Sequence, residues 1–242
     1  EDFGDDVLQF YLNEKNSNKL IKLAIEQIHK IEVIESDENI FSEFEKITEN
    51  NLQLFKKFFL EEFLEAPGLD NLKEEISEFY SIIISELKDH PKVVNHYDFE
   101  SRNLISLSEK KIGVIDFQDA LIGPLGIDLA SIFKDLYKEW TKEEIASWLD
   151  FYVENSQIVK SSSLKTAEVE RMIDIASLQR QIRILGKLSQ VFLELKRSER
   201  LKDFKTILKY LMTTSLEYGE TKRYSDLFKN LIPILDQRLK AL

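Results

Sequence analysis

A short polar turn near the middle of the chain carries side chains that suit proton transfer and metal binding. It holds His96 and Asp98 in the order His-x-Asp, and Asn103 follows that aspartate by five residues. Asp116 comes shortly afterwards, at the end of an apolar run. Short aliphatic and β-branched runs broken by turn residues predict small strands, here 92–94, 104–107 and 112–115. We therefore expect these polar groups at strand ends, where a rigid element aims a side chain and a loop exposes it.

The residue types in this order suit phosphoryl transfer. Asp98 can accept the proton of an attacking hydroxyl, while Asn103 and Asp116 offer the oxygen ligands that Mg²⁺ prefers. Phosphoryl transfer depends on positioning and charge neutralisation, so one base and two metal ligands form a sufficient core. The order is that of a kinase catalytic loop, 94–105, followed by a metal loop, 113–120. A chance acidic turn is the alternative in a chain with 44 Asp and Glu residues, but the combined order and spacing favour kinase chemistry.

Other residues beside the turn allow more than one role. Asp119 lies three residues after Asp116 and can face a substrate or cap the following turn. Arg102 can bind an anion or form a salt bridge with a nearby Asp or Glu. A two-metal hydrolase is an alternative chemistry, although it gives Asn103 no role. It would use His96, Asp98, Asp116 and Asp119.

The composition restricts the partners of the protein. The net charge of −11 argues against nucleic acid, because affinity for nucleic acid rests on basic residues that neutralise phosphates. It is compatible with a cationic substrate, although an acidic total is also a common solubility feature. Zero cysteines exclude disulfides and thiolate metal sites and suit a reducing compartment. No apolar run approaches the roughly 20 residues needed to span a bilayer, so we expect a cytoplasmic protein without membrane partners.

The two motif regions resemble the aminoglycoside phosphotransferase/choline kinase-like family, which has a protein kinase-like fold. They read HYDFESRNLI at 96–105 and IDFQDALIGPLGIDLASIFKDLY at 115–137. Within the family, the likeness is to bacterial sugar kinases that phosphorylate the anomeric hydroxyl of N-acetylmuramate and N-acetylglucosamine. Segment 1–5 is similar to the hinge of that group, and 179–186 resembles its late helix. One departure is Tyr97, where many relatives carry Arg or Gly.

The resemblance implies roles for individual residues, with ATP as the phosphate donor. It implies Asp98 as the base and Asn103 and Asp116 as the Mg²⁺ ligands. It also implies that Asp128 holds the backbone of the catalytic loop, in addition to a possible role as a helix N-cap. The expected nucleotide contacts are Ile105, Ile115 and the backbone near Glu1.

The sequence has no glycine-rich phosphate loop. Kinases of this shape carry such a loop in a small β-rich N-terminal lobe, whereas the seven glycines here are scattered and form no G-x-G-x-x-G pattern. We therefore expect only the C-terminal lobe in this chain, with a hinge segment at 1–6 and a helical lobe at 7–242 that includes a helical tail at 164–242. Catalysis is then expected to need an N-terminal lobe as a partner.

Apolar periodicity predicts a mainly α protein with a small β element, which is an α+β class. We expect an irregular stretch at 33–46 and a turn at 123–126. The predicted helices are 17–31, 48–64 capped by Thr48, 70–88, 128–140, one headed by Thr141, 165–195, 199–217 and 225–240.

These observations predict an ATP- and Mg²⁺-dependent phosphotransferase that acts on a hydroxyl of a small molecule. The resemblance implies an amino sugar of the N-acetylmuramate/N-acetylglucosamine type as acceptor. An aminoglycoside or a choline-like amine is the alternative within the same chemistry. The alternative of another class is a nucleotide-binding or regulatory module without activity.

Overall fold

The described residues form helices and two small antiparallel sheets, which is the α+β class that the sequence predicts. The structure, a computed structural model, describes Gly4 and residues 6–35, 41–108 and 110–242, without the side chains of 41–43. The strands are β1 (Lys92–Asn95), β2 (Leu104–Ser108), β3 (Lys111–Val114) and β4 (Leu121–Pro124). The helices are α1 (Leu8–Tyr11), α2 (Ser17–Glu32), α3 (Phe41–Leu54), α4 (Leu69–Asp89), α5 (Ile127–Phe133), α6 (Lys142–Asn155), α7 (Gln157–Ser161), α8 (Thr166–Leu195), α9 (Phe204–Glu217) and α10 (Ser225–Lys240).

The chain forms two compact units. The first, which we call the site unit, consists of residues 1–44 and 89–177. The second, which we call the helical unit, consists of residues 45–88 and 178–242. Strands β1 to β4 and the motif residues of the catalytic and metal loops lie in the site unit. Within the described residues, none of the helices combines the length and apolar character that crossing a bilayer requires.

The two sheets of the site unit hold the two motif loops. Strand β1 pairs antiparallel with β4, so that Asn95 lies opposite Leu121. Strands β2 and β3 form a hairpin in which Leu104 lies opposite Val114. Val7 forms a β-bridge to Ile105, which places the chain around Val7 along the free edge of β2. The catalytic loop therefore leaves one sheet and enters the other.

Helices α2, α5 and α6 supply the core of the site unit. Every residue of α5 is buried, including the polar Asp128 and Ser131 among its apolar residues. Trp148 of α6 is fully buried, and its indole N–H donates to Asn18 Oδ1 over 3.0 Å. Thr141 and Glu144 form a capping box at the start of α6, which confirms the predicted helix start.

A cluster of buried phenylalanines lies in the core of the helical unit. It is carried by a π-helix over Phe55–Phe63 that continues α3. The rings of Phe59 and Phe63 contact the ring of Phe204 in α9 at centroid distances of 5.8 and 5.0 Å. Gly186 of α8 lies against the first turn of the π-helix, since a Cβ added there would meet Phe55 N at 2.6 Å. This close backbone approach requires glycine at that position.

Two helix predictions in the first half of the chain are wrong. Helix α3 begins at Phe41, inside the stretch expected to be irregular. Thr48 is therefore not an N-cap; it lies inside α3, where its hydroxyl donates to Glu45 O over 2.7 Å. Side-chain bonding to the preceding turn is the usual way a helix accommodates a threonine. Threonine is a common N-cap residue, but here the helix begins well before this position.

The segment after the metal loop also differs from the prediction. The expected turn at 123–126 is partly strand, because Leu121–Pro124 pairs with β1. The turn itself falls at Gly126, whose φ of 103° favours glycine. Helix α5 ends at Phe133 instead of Trp140. Trp140 folds back, and its indole N–H donates to Ile132 O over 3.0 Å, satisfying a carbonyl left open at the helix end.

The tail is helical as predicted, with one later start. Helices α8 and α10 match the predicted 165–195 and 225–240 closely. Helix α9 begins at Phe204, and a 3₁₀ turn over Leu201–Asp203 precedes it. The predicted start at 199 is therefore too early.

A buried carboxylate, that of Glu32, links α2 to α6 in the site unit. Glu32 is almost fully buried, and the hydroxyl of Tyr152 donates to both carboxylate oxygens, at 2.9 and 3.0 Å. The ring of His29 stacks on Tyr152 with centroids 4.9 Å apart. Burial raises the pKa of the Glu32 carboxyl, and the nearby His29, whose Nδ1 lies 3.9 Å from Oε2, together with the hydrogen bond from Tyr152 offsets only part of that effect.

We expect Glu32→Gln to flatten the pH dependence of stability. The folded-state pKa of Glu32 lies above its unfolded value, so its stabilising contribution is present below that unfolded value and is lost as pH rises through the folded pKa. Glutamine mimics the protonated acid and keeps an acceptor for Tyr152. The free energy of unfolding of the variant should therefore gain on the parent as pH rises above 4.5, the ordinary pKa of a glutamate. Urea titrations at a series of pH values measure it.

Glu26→Gln controls for the loss of one negative charge, because Glu26 lies on the exposed face of the same helix. An equal gain in both variants would contradict a role for burial.

Candidate active site

Backbone hydrogen bonds shape the catalytic loop. After β1, Glu100 N–H donates to Asp98 O at 2.8 Å, and Asn103 N–H donates to Glu100 O at 2.9 Å. The second bond closes a 3₁₀ turn over Ser101–Asn103. Strand β2 begins directly afterwards. Asp98 and Asn103 therefore lie at the two ends of one tight turn, as their spacing predicts.

Asp128 anchors the loop from the first turn of α5. Its Oδ2 accepts from His96 N–H at 2.7 Å, and its Oδ1 accepts from Tyr97 N–H at 2.9 Å. The carboxylate is 2% exposed, so both bonds are made away from water. The implied role in holding the loop backbone is confirmed. The N-cap role is wrong, because the cap position of α5 is Gly126.

His96 connects the catalytic loop to the metal loop. The ring is buried, and Nε2 lies 2.9 Å from Ile115 O. Since a carbonyl only accepts, Nε2 carries the hydrogen and donates it. This bond links Ile115, the residue before Asp116, to His96, which lies two residues before Asp98. His96 is a packed structural histidine that spans the two loops.

Asn103 faces both loops through separate groups. Its side-chain Nδ2 donates to Asp98 O at 2.8 Å, and its backbone carbonyl accepts from Ile115 N–H at 3.0 Å. The amide nitrogen is thus used to hold Asp98. The amide oxygen is the atom of this side chain that suits a hard cation.

Two residues of the motif loops have left-handed backbone conformations, Asp116 itself and the residue directly before Asp98. Asp116 has φ 68° and ψ 40°, and Tyr97, directly before Asp98, has φ 72°. This region is uncommon for residues other than glycine, and for a bulky residue such as tyrosine it is an outlier. Strain of about 1–3 kcal/mol per residue persists only where the surroundings impose it, and such positions cluster at functional sites. Here the bonds from Asp128 and His96 impose it.

Arg102 joins two carboxylates of the catalytic loop. Its Nε donates to Glu100 Oε2 at 2.9 Å, and its Nη2 donates to Asp98 Oδ2. Burial lowers the pKa of Arg102, but the carboxylates of Glu100 and Asp98 raise it more, so that the net shift is upward and the guanidinium stays charged. Of the two predicted roles, the salt bridge is therefore present. Sequence reasoning missed Glu100, although its place between the other two charges was a usable signal.

Asp135 is a second residue that sequence reasoning missed. It is buried beyond the end of α5, where Oδ2 accepts from Ser101 N–H at 3.2 Å and Oδ1 accepts from Tyr137 N–H at 2.9 Å. The backbone of the catalytic loop is thus held by Asp128 in the first turn of α5 and by Asp135 beyond the end of that helix. A carboxylate just after an apolar helix was the available signal.

The remaining predicted site residues have separate positions. Ile105 is buried in β2, and Ile115 is half-buried just beyond β3. Asp119 is exposed and ends a 3₁₀ turn over Phe117–Asp119. Glu1 lies outside the described residues. The nucleotide contacts of the isoleucines and of Glu1, and the substrate contact of Asp119, stay predictions.

The donor set fits a Mg²⁺ ion better than a metal held by protein alone. Asn103 and Asp116 supply one amide and one carboxylate at adjoining ends of β2 and β3, and Asp116 Oδ1 also accepts from Gln118 Nε2 at 2.7 Å. Mg²⁺ keeps several waters and takes only one or two protein ligands beside substrate phosphates. Among the described residues, no three His, Asp or Glu side chains gather into a metal cluster. The two-metal hydrolase therefore gains no support.

Comparison with known proteins identifies the family. The profile of the phosphotransferase enzyme family, APH, matches residues 11–160, which include both motif loops. The chain belongs to the phosphotransferase enzyme family. The matched range includes Asp98, Asn103 and Asp116.

Relatives of this phosphotransferase family member come from bacteria and eukaryotes. An N-acetylmuramate/N-acetylglucosamine kinase of Pseudomonas putida is 26% identical over 191 residues, covering 78% of this chain and 56% of that protein. The chain thus spans just over half the length of that relative. Plasmodium vivax ethanolamine kinase superposes with a TM-score of 0.60 at 17% identity, covering 83% of this chain and 60% of that one.

A third similarity is to the ADP-bound aminoglycoside phosphotransferase APH(2'')-Ib. Its TM-score is 0.53 at 21% identity, and the match covers 87% of this chain and 69% of that one. At these identities the two superpositions establish the fold alone. They confirm the predicted protein kinase-like phosphotransferase fold.

Proposed function

We propose that this protein is part of an ATP- and Mg²⁺-dependent kinase that phosphorylates a hydroxyl group of an amino sugar. Asp98 is the base that accepts or orients the proton of the attacking hydroxyl. Asn103 and Asp116 hold the Mg²⁺ ion that accompanies ATP. The observation that carries the proposal is the joint fixation of Asp98 and Asn103 on one turn, tied by His96 to the residue before Asp116.

The bound ion would supply charge neutralisation for the phosphates of ATP. The residues of this chain supply the positioning. Asp128 fixes the backbone before Asp98, and Asn103 fixes the backbone carbonyl of Asp98 itself. Because phosphoryl transfer requires little covalent help, such positioning is the main contribution expected of the protein.

The remaining assignments concern binding. Ile105 and Ile115 would lie beneath the adenine, and backbone atoms near Glu1 would contact its edge. Asp119, exposed beside Asp116, would contact the acceptor. An N-terminal kinase lobe would complete the nucleotide site. The lack of cysteines suits a cytoplasmic location.

The amino-sugar acceptor rests on the relatives. The kinase from Pseudomonas putida is named for N-acetylmuramate and N-acetylglucosamine, and the match to it includes 78% of this chain. An aminoglycoside or an ethanolamine- or choline-like amine is the second candidate, which the acidic net charge of −11 favours. Both candidates use the same reaction.

Consumption of ATP by the complete gene product tests the proposal. A panel should include N-acetylated sugars, aminoglycosides, choline and ethanolamine, each with and without Mg²⁺. Selective turnover of an N-acetylated sugar is the expected result. Turnover with amines alone would change the acceptor, and Mg²⁺-dependent nucleotide binding without any turnover would favour the regulatory module.

We expect Asp116→Asn and Asp119→Asn to affect different parameters. Loss of the Asp116 carboxylate should raise the Mg²⁺ concentration for half-maximal rate by about tenfold or more, because even residues behind a metal ligand contribute about that much. Loss of the Asp119 carboxylate should instead raise the KM of the acceptor. Rate measurements at varied Mg²⁺ and varied acceptor separate the two effects. The same Mg²⁺ response in both variants would contradict the assignment of Asp116.

A further inference from the structure

The guanidinium of Arg102 forms two hydrogen bonds, one to Glu100 and one to Asp98. Nε bonds Glu100 Oε2 at 2.9 Å, and Nη2 bonds Asp98 Oδ2. The Glu100 side chain is 6% exposed, whereas that of Arg102 is 41% exposed. The buried partner is therefore the fixed one, and the half-exposed arginine is oriented by it.

Because the guanidinium is planar, the bond to Glu100 also fixes the direction of the second bond. Nε and Nη2 lie on the same edge of the plane, so that holding Nε on Glu100 directs Nη2 to one position. Asp98 Oδ2 occupies that position. A lysine could neutralise the same charges, but its single nitrogen cannot transmit the direction.

The backbone of the loop supports the same arrangement. Arg102 is the middle residue of the 3₁₀ turn whose last residue, Asn103, holds the backbone carbonyl of Asp98 at 2.8 Å. Asp98 is thus held at its backbone by one residue of the turn and at its carboxylate by the preceding one. A bond to Oδ2 restricts rotation of the carboxylate and gives Oδ1 a defined direction.

We propose that Glu100 and Arg102 are positioning residues that hold the carboxylate of Asp98 in the orientation needed to meet the acceptor hydroxyl. The inference rests on the proposed function, in which Asp98 is the base. Glu100 acts only through Arg102. The charge of Arg102 is used within the loop, so its removal should affect the rate of the chemical step and leave acceptor affinity intact.

Steady-state kinetics of Arg102→Ala, Glu100→Gln and the double variant in the complete gene product test this. Arg102→Ala should lower kcat by about tenfold to a hundredfold, the range expected for a displaced reacting group, with KM values within about twofold of the parent. Glu100→Gln should lower kcat less. The double variant should be no worse than Arg102→Ala, because the proposed effect of the Glu100 carboxylate on the Asp98 carboxylate passes through Arg102.

Rescue provides a readout that a merely structural role would not move. Ethylguanidinium in solution should restore part of the kcat of Arg102→Ala, because the half-exposed site of the side chain can admit it, and should do nothing for Asp98→Asn. Arg102→Lys keeps a charge for the buried Glu100 and so guards against misfolding; it should retain stability yet show reduced kcat. Arg200→Ala is the matched control, since Arg200 binds the buried Asp203 beside a 3₁₀ turn of the helical unit.

Three results would overturn the inference: a raised acceptor KM with kcat retained, additive losses in the double variant, or full kcat in Arg102→Ala. An inactive Asp98→Asn together with any of these defeats the inference alone. An active Asp98→Asn defeats the proposed function itself.

Discussion

Asp98→Asn should lower kcat by about a thousandfold, because general-base assistance by a positioned side chain contributes roughly 10²–10⁴ in rate. Asparagine has the same size and keeps the backbone carbonyl that Asn103 Nδ2 holds at 2.8 Å. It cannot accept a proton at the reacting position. The KM of ATP should change little, because the phosphates are assigned to other residues. Steady-state assays of the complete gene product, with the preferred acceptor of the panel, measure the loss.

Asp174→Asn is the matched control for this variant. The Asp174 side chain is 17% exposed, as is that of Asp98, and each carboxylate pairs with a basic side chain, Lys134 in the case of Asp174. The control should retain kcat, and the unfolding midpoints of both variants should stay near that of the parent. Retained turnover in Asp98→Asn would remove the base from the proposed mechanism and with it the kinase function.

Asp128→Ala should destabilise the fold and release the catalytic loop together. The carboxylate accepts the backbone N–H groups of His96 and Tyr97 in a site that is 2% exposed. An unpaired buried donor costs about 1–3 kcal/mol, so the loss of both bonds should lower the free energy of unfolding by about 2–6 kcal/mol. Without these bonds, Tyr97 should leave its left-handed conformation with φ of 72°, and Asp98 should move with it. Activity should fall with stability.

Hydrogen exchange of the two amides distinguishes this local effect from a general loss of stability. The amide protons of His96 and Tyr97 should exchange faster in Asp128→Ala than the drop in global stability explains. Ser131→Ala is the control on the same helix, because Ser131 is fully buried but its hydroxyl donates only to Ile127 O, one turn earlier. Unchanged protection of the loop amides in Asp128→Ala would show that some other contact holds the loop.

The local chemistry of the site was readable from the sequence. The spacing of Asp98 and Asn103 predicts one turn, and the turn forms because the side chain of Asn103 reaches back to the carbonyl of Asp98 while a 3₁₀ bond joins Asn103 to Glu100. Apolar runs predicted β1, β2 and β3 to within a residue or two, since short strands are bounded by the same turn residues that punctuate the sequence. The family resemblance also predicted the kinase-like fold.

Contacts between distant segments decided the rest. Asp128 reaches His96 across 32 residues, and His96 reaches Ile115 across 19, so neither bond has a local signature. The length of α5 depended on where Trp140 folds back, and the strand at 121–124 depended on its pairing with β1. Such choices follow from which partner satisfies a buried carbonyl or amide, and that partner is supplied only by the tertiary structure.

The clearest case is the pair of residues that aims Asp98. The sequence by itself determined that Arg102 stands among three carboxylate-bearing or amide-bearing neighbours, and it left an anion site and a salt bridge equally open. Tertiary packing decided between them by burying Glu100 to 4% exposure, where its charge requires a fixed partner. The types of the catalytic groups were therefore a property of the sequence, whereas their orientation is a property of the packed site unit.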